Sequence, residues 1–142
     1  MKKSAVASRH IILVDTGPLV AAIDAGNPHH RWAKATLPRL PGPMLTCEAV
    51  AAEVVHLLDN DPVALRALHE FLRRMDIVPV LRDELDAVFA GLHRFAPRMD
   101  LADGCLVTLS MRYQNALILT TDTRDFATYR VPFASPTGLF AE

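Results

Sequence analysis

The chain has 142 residues, of which 51% are apolar and 22% charged, and its formal net charge is −1. This composition excludes a disordered chain, and the length suits one domain spanning 1–142 that needs no disulfide or metal merely to fold. The near-zero charge excludes a strongly basic nucleic-acid-coating protein. It leaves room for a phosphate ligand brought in by a cation on carboxylates, with help from arginines.

The start, MKKSAVASRHIILVD, is basic, but its apolar run covers only Ile11 to Val14. That is too short for a signal-peptide core or a membrane span, so a cytoplasmic protein without membrane attachment is expected. Ile11 to Val14 reads as a strand buried on both faces, as in a parallel sheet. It stops at Asp15-Thr16-Gly17-Pro18. Pro18 suits a first helical turn, and Leu19 to Asp24 reads as a short helix. His29 to Leu37 reads as another, and the proline-rich stretch LPRLPGP, Leu37 to Pro43, as a loop.

Met44-Leu45 reads as a short strand, followed by a helix from Cys47 to Leu58 with Val50, Val54, Leu57 and Leu58 in its stripe. Asp61-Pro62 opens the next helix, Asp61 as cap and Pro62 in the first turn. Ile77 to Leu81 is expected as a strand. Asp83 to Phe95 is expected as a helix, striped by Leu85, Val88, Phe89 and Leu92. Asp100 to Tyr113 is expected as a helix facing inward through Ala102, Cys105, Leu106, Leu109 and Tyr113. Ala116 to Leu119 is a strand that ends at Thr120-Thr121-Asp122, Asp122 to Thr128 a short helix, and Val131 to Ala134 a last edge strand. Cys47 and Cys105 lie in apolar helical runs without metal-ligand spacing and read as reduced core residues. Strands alternating with helices predict a three-layer α/β/α sandwich around a mostly parallel central sheet. Its ligand site belongs at the carboxyl ends of the strands, where the strand order reverses.

The acids gather at that edge. Asp15 directly follows the first strand, and Asp122 follows the last strong one. Asp100 and Asp103, three apart at a helix start, share a face. Glu53 flanks the stripe of the helix after the second strand, and Asp125 lies three residues beyond Asp122. So many carboxylates at one edge repel one another unless a hard cation with oxygen ligands neutralises them. Mg²⁺ takes one or two carboxylates and keeps its waters, the chemistry phosphodiester hydrolysis requires.

Four segments then resemble the PIN-domain family: IILVDTGPLVAAID, LTCEAVAAEVVHLL, MDLADGCLVTLS and LILTTDTRDF, in the family's order from Ile11 to about Phe133. The resemblance implies a PIN-like fold and a ribonuclease dependent on Mg²⁺ or Mn²⁺. Its catalytic acids fall on Asp15, Glu53, Asp103 and Asp122; Asp15, Asp103 and Asp122 are expected as metal ligands, joined by Asp100 from outside the family pattern. Small proteins of this kind look most like VapC-type toxins, which cut RNA, form homodimers and are held inactive by a cognate antitoxin. Glu48 and Asp100 add acids beyond the simplest pattern; either extends the site or shifts which carboxylate binds metal.

Plainer uses stand beside these. Asp15 suits a turn before Gly17-Pro18, and Asp122 with Asp125 suits a helix cap. Asp100, Asp103 and Glu48 suit first-turn acids, and Glu53 a surface acid. Thr16 and Thr121 either orient carboxylates or bond within turns. The histidines show no ligand spacing. Arg31, Lys34 and Arg98 either steer RNA or form a solvated face. The helices Cys47 to Leu58 and Pro62 to Met75 carry enough Leu, Val and Phe for a dimer or antitoxin interface as well as a core. Among other functions, a flap-type DNA nuclease wants helical arches and a basic clamp that this chain lacks. A phosphorylation receiver wants a lysine after a late strand, and no lysine follows Lys34. A degenerate PIN module that binds RNA or protein without cutting usually loses an acid, and all four family positions are acidic.

Overall fold

The computed structural model describes residues 10–40 and 43–140, with backbone alone for residues 139 and 140. The basic start and the Pro41-Gly42 tip of the proline-rich loop lie outside the described residues.

Four strands, β1 (Ile11–Val14), β2 (Met44–Cys47), β3 (Asp76–Val78) and β4 (Ala116–Leu119), precede β5 (Phe133–Ser135) and β6 (Gly138–Phe140). They form one sheet in the order β3-β2-β1-β4-β5-β6. Five strands are parallel, and β6 runs antiparallel to β5 at the edge. The strands alternate with helices in a PIN-like α/β/α arrangement. β1 is central because Ile12, Leu13 and Val14 are apolar on both faces and so lose water on both. All four residues of β4 are buried for the same reason. From β1 the chain winds outward to β2 and β3, then returns to β4 on the other flank. The order therefore reverses between β1 and β4, where Val14 pairs with Leu119. This reversal is the expected ligand crevice.

Helix α1 (Thr16–Ile23) begins at Thr16, two residues before Pro18. Pro18 fits there because first-turn N–H groups have no intrahelical partner. α2 (His30–Thr36) passes into a single 3₁₀ turn, Leu37–Arg39, within the expected loop. α3 (Glu48–Leu57) is followed by Asp59 and Asn60 in left-handed conformation. α4 (Pro62–Arg73) then opens as expected, with Asp61 accepting from the Ala64 amide at 3.0 Å.

Several expectations need correction. The strand expected at Ile77 to Leu81 ends at Val78, because Pro79 supplies no ladder N–H, and Val80–Asp83 coils into α5. The next helix, α6 (Leu85–Arg94), starts after a break at Glu84. It buries Val88 and packs Leu92, while Leu85 and Phe89 of the expected stripe face solvent. The strand expected at Val131 to Ala134 forms as β5, inside the sheet rather than at its edge. β6 closes that flank.

α7 (Leu101–Ser110) is buried nearly all round, from Gly104 to Ser110 without a break. It lies between the sheet and α6, and Gly104 allows this approach. A Cβ there would meet Leu92 Cδ2 at 3.2 Å. Tyr113, expected on this helix, lies beyond its end and packs half-buried on the core. α8 (Thr123–Tyr129) ends at Arg130 in left-handed conformation. Cys47 and Cys105 are buried and unbridged, as expected.

Candidate active site

Asp15 leaves β1 at the reversal point and is only 6% exposed. Its amide donates to the Leu119 carbonyl at 2.9 Å, which locks it beside the end of β4. One residue past β4, Thr120 is fully buried and donates its hydroxyl to Asp15 Oδ2 at 2.8 Å. The same hydroxyl oxygen accepts from the Asp122 amide at 2.9 Å. Burial pushes the Asp15 carboxyl up to about 6, against the Thr120 and Thr16 donors. The charges of Glu53 and Asp100 push the same way as burial.

Asp103 sits in the first turn of α7, where Asp100 caps the helix by accepting from the Asp103 amide at 2.8 Å. Its Oδ2 accepts from the Tyr129 hydroxyl at 2.8 Å. Burial and then the Asp15 charge raise Asp103 to about 8, and Asp100 and Asp125 add to the rise. Two carboxylates that repel in this way do not readily ionise together.

Glu53, half-buried on α3, accepts from the Thr16 hydroxyl at 2.7 Å. Its negative charge therefore reaches Asp15 across a short, fixed link. The structure thus draws Asp15, Glu53, Asp100 and Asp103 into one electrostatic group. Asp122 stands at its rim. It caps α8 by accepting from the Asp125 amide at 2.9 Å and joins Asp15 only through Thr120. Burial raises its carboxyl, and the charges weighing on it are Asp125 and Arg98. Asp125 is paired with Arg98 at 2.8 Å, so Arg98 is not simply solvated. Glu48, exposed at the start of α3, borders a separate cavity of about 430 Å³ that also meets Leu101 and Cys105.

Two residues escaped the sequence reading. Thr120, rather than Thr121, binds Asp15; Thr121 faces Gly17, whose missing Cβ would sit 1.9 Å from Thr121 Oγ1. Tyr129 lies far along the chain from Asp103. The steps of three and four from Asp122 to Asp125 to Tyr129, one face of α8, were the available signal.

Among the described residues, no three His, Cys, Asp or Glu side chains converge tightly enough to enclose an ion. The donor chemistry nevertheless fits a hard divalent cation. Asp15 and Asp103 offer oxygens only, each raised partly by a neighbouring carboxylate, and Mg²⁺ uses one or two carboxylates with waters completing its shell.

Known proteins agree with this architecture. Among solved structures, the chain is similar to VapC20 from Mycobacterium tuberculosis, described as a sarcin-ricin loop cleaving toxin. The TM-score is 0.73 at 22% identity, covering 84% of this chain and 96% of that one. A toxin-antitoxin complex from Klebsiella pneumoniae matches with TM-score 0.63 at 19% identity, covering 84% and 92%. VapBC2 from Rickettsia felis, bound to a promoter DNA fragment, matches with TM-score 0.61 at 15% identity, covering 83% and 92%. No curated protein matches the chain. The PIN domain family model matches residues 12–132, almost the whole described chain, and with the acids placed at the strand reversal the chain belongs to the PIN domain family.

Proposed function

We propose that this protein is a metal-dependent endoribonuclease that cuts single-stranded RNA and acts as the toxin of a type II toxin-antitoxin pair. The observation that carries the reading is the placing of two carboxylates, Asp15 and Asp103, at the reversal of a PIN-family sheet, close enough for the Asp15 charge to raise Asp103. One solved neighbour is described as a sarcin-ricin loop cleaving toxin and another as a toxin-antitoxin complex, which supports a cognate antitoxin here. A cytoplasmic homodimer completes the proposal. Among the described residues, no helix is long and apolar enough to cross a membrane.

Asp15 and Asp103 would hold Mg²⁺ or Mn²⁺, with Asp100 and Asp122 as further ligands on its water side. A cation there would supply charge neutralisation for a phosphodiester and a lowered pKa for a bound water. Thr120 fixes the rotation of Asp15 through its 2.8 Å bond. Glu53, held by the Thr16 hydroxyl at 2.7 Å, would serve as the general base. The Arg98 guanidinium stands beside Asp125 at the rim, placed to attract the RNA backbone.

The test is cleavage of labelled single-stranded RNA by purified protein with Mg²⁺ or Mn²⁺, with EDTA, and with Asp15→Asn as the control for contaminants. Metal-dependent cutting lost in the variant supports the reading. The alternative is a degenerate module that binds RNA or protein without cutting. Intact RNA across a broad panel, with the protein shown to be folded, would select that alternative.

A further inference from the structure

The Tyr129 hydroxyl bonds to Asp103 Oδ2 at 2.8 Å. Its ring is 4% exposed and wedged edge-on between Phe95, at 5.2 Å between centroids, and Phe126, at 5.3 Å. Phe126 leans in turn on Phe133 of β5, at 6.4 Å. Immediately after Tyr129 the chain turns left-handed at Arg130, so the residue closes its helix. The phenol can therefore neither swing away nor follow Asp103 if that carboxylate rotates.

For packing alone, phenylalanine would serve in this aromatic cluster. A buried phenol needs a partner, and this one donates to a carboxylate of the acidic group. The backbone amide of Asp103 is fixed from the other side, on Asp100. Asp103 is thus held at both ends, its backbone by the helix cap and one carboxylate oxygen by the phenol.

From this geometry we propose that Tyr129 is a positioning residue: its hydroxyl sets the plane of the Asp103 carboxylate and so presents the other oxygen to a divalent cation. The inference rests on the proposed metal-dependent reading. Outer partners of metal-binding side chains act in this way by fixing ligand orientation.

The test is Tyr129→Phe, which removes one oxygen and keeps the ring. Mn²⁺ binding is titrated by electron paramagnetic resonance on wild type, Tyr129→Phe, Asp103→Asn and Asp61→Ala. Wild type is expected to bind, and Tyr129→Phe to bind about 10- to 100-fold more weakly. Asp61→Ala, which removes the cap of α4 without touching the aromatic cluster, is expected to melt earlier yet keep its affinity. Unchanged Mn²⁺ affinity in folded Tyr129→Phe overturns the inference and leaves the metal reading standing, as does equal weakening by Asp61→Ala. No binding by wild type overturns the metal reading and the inference together. A second measurement needs no change at Tyr129. In Tyr113→Phe, Tyr129 is the only tyrosine left. Its ultraviolet absorbance is expected to shift on Mg²⁺ titration and saturate with binding. Binding with a flat tyrosine spectrum overturns the inference.

Discussion

Replacing Asp15 with Asn is expected to stabilise the protein in the absence of metal. Asp15 is buried, and its carboxyl lies at about 6 in the fold against an ordinary 3.8. A carboxyl raised by folding keeps its proton in the folded state. Its contribution to stability is therefore intact below about pH 4 and is lost as pH rises to about 6. At neutral pH the ionised group costs about 3 kcal/mol, because each pH unit between the unfolded and folded values is worth about 1.36 kcal/mol. Asn carries no such charge, and its carbonyl can still accept from Thr120. The stability gap in favour of Asp15→Asn should widen by about 2 kcal/mol from about pH 4.5 to 7.5. At neutral pH the full cost amounts to about 10 °C in melting temperature for a chain of this size. The neighbouring Asp103 adds in the same direction, because Asn no longer repels it. Thermal melts followed by circular dichroism in EDTA across this range read the gap directly. A variant that melts below wild type at neutral pH, or a gap that ignores pH, refutes the argument. Saturating Mg²⁺ should reverse the order, since only wild type gains binding free energy.

Thr120→Val keeps the shape but removes the donor that lowers Asp15, so the acid limb of the RNA-cleavage pH profile should move upward; an unmoved limb would separate Thr120 from the site. Gly17→Ala places a methyl against the Thr121 side chain, so that either this side chain or α1 must shift. It should destabilise by about 1–3 kcal/mol, the usual range for overpacking, as read by denaturant melts. Asp61→Ala removes the α4 cap and should cost about 1 kcal/mol without changing RNA cleavage, which makes it a control for stability alone.

The sheet and the placing of Asp15, Asp100 and Asp103 at its carboxyl edge were legible because their causes are local. A continuous apolar run such as Ile11–Val14 has little choice but a doubly covered strand, and the acid that stops it is left at the sheet's carboxyl edge. Asp100 and Asp103 declared themselves by sitting three apart at a helix start, and Asp100 proves to be both cap and neighbour of the site. What stayed hidden depends on neighbours distant in sequence. Leu85 and Phe89 carry helical spacing, yet α7 meets α6 along Val88 and Leu92 instead. Strand β6 has three residues and no pattern of its own, and it exists because β5 offers an unpaired edge. Thr120 and Thr121 differ only in which face of the leaving chain each occupies, a distinction that one residue of register decides. The Tyr129 contact to Asp103 spans two helices: spacing along α8 puts Tyr129 on the face of Asp122 and Asp125 but does not name its partner.

If Asp15 and Asp103 hold the proposed cation, the metal-free site is a proton store as well as a ligand set. Asp103 at about 8 is mostly protonated at neutral pH, while Asp15 at about 6 is mostly ionised. A cation bound by both must have both ionised, so loading should expel about one proton per ion at neutral pH and more as the pH falls towards 6. Affinity should then climb with pH until it passes the Asp103 value. Isothermal titration of Mn²⁺ in buffers of differing ionisation enthalpy counts the protons, because each one released adds the buffer's own heat. Heats independent of the buffer would mean that Asp103 is already ionised or does not touch the ion. The same titration on Asp103→Asn decides between these: a retained, buffer-independent affinity would leave Asp15 as the principal ligand, with Asp103 outside the site.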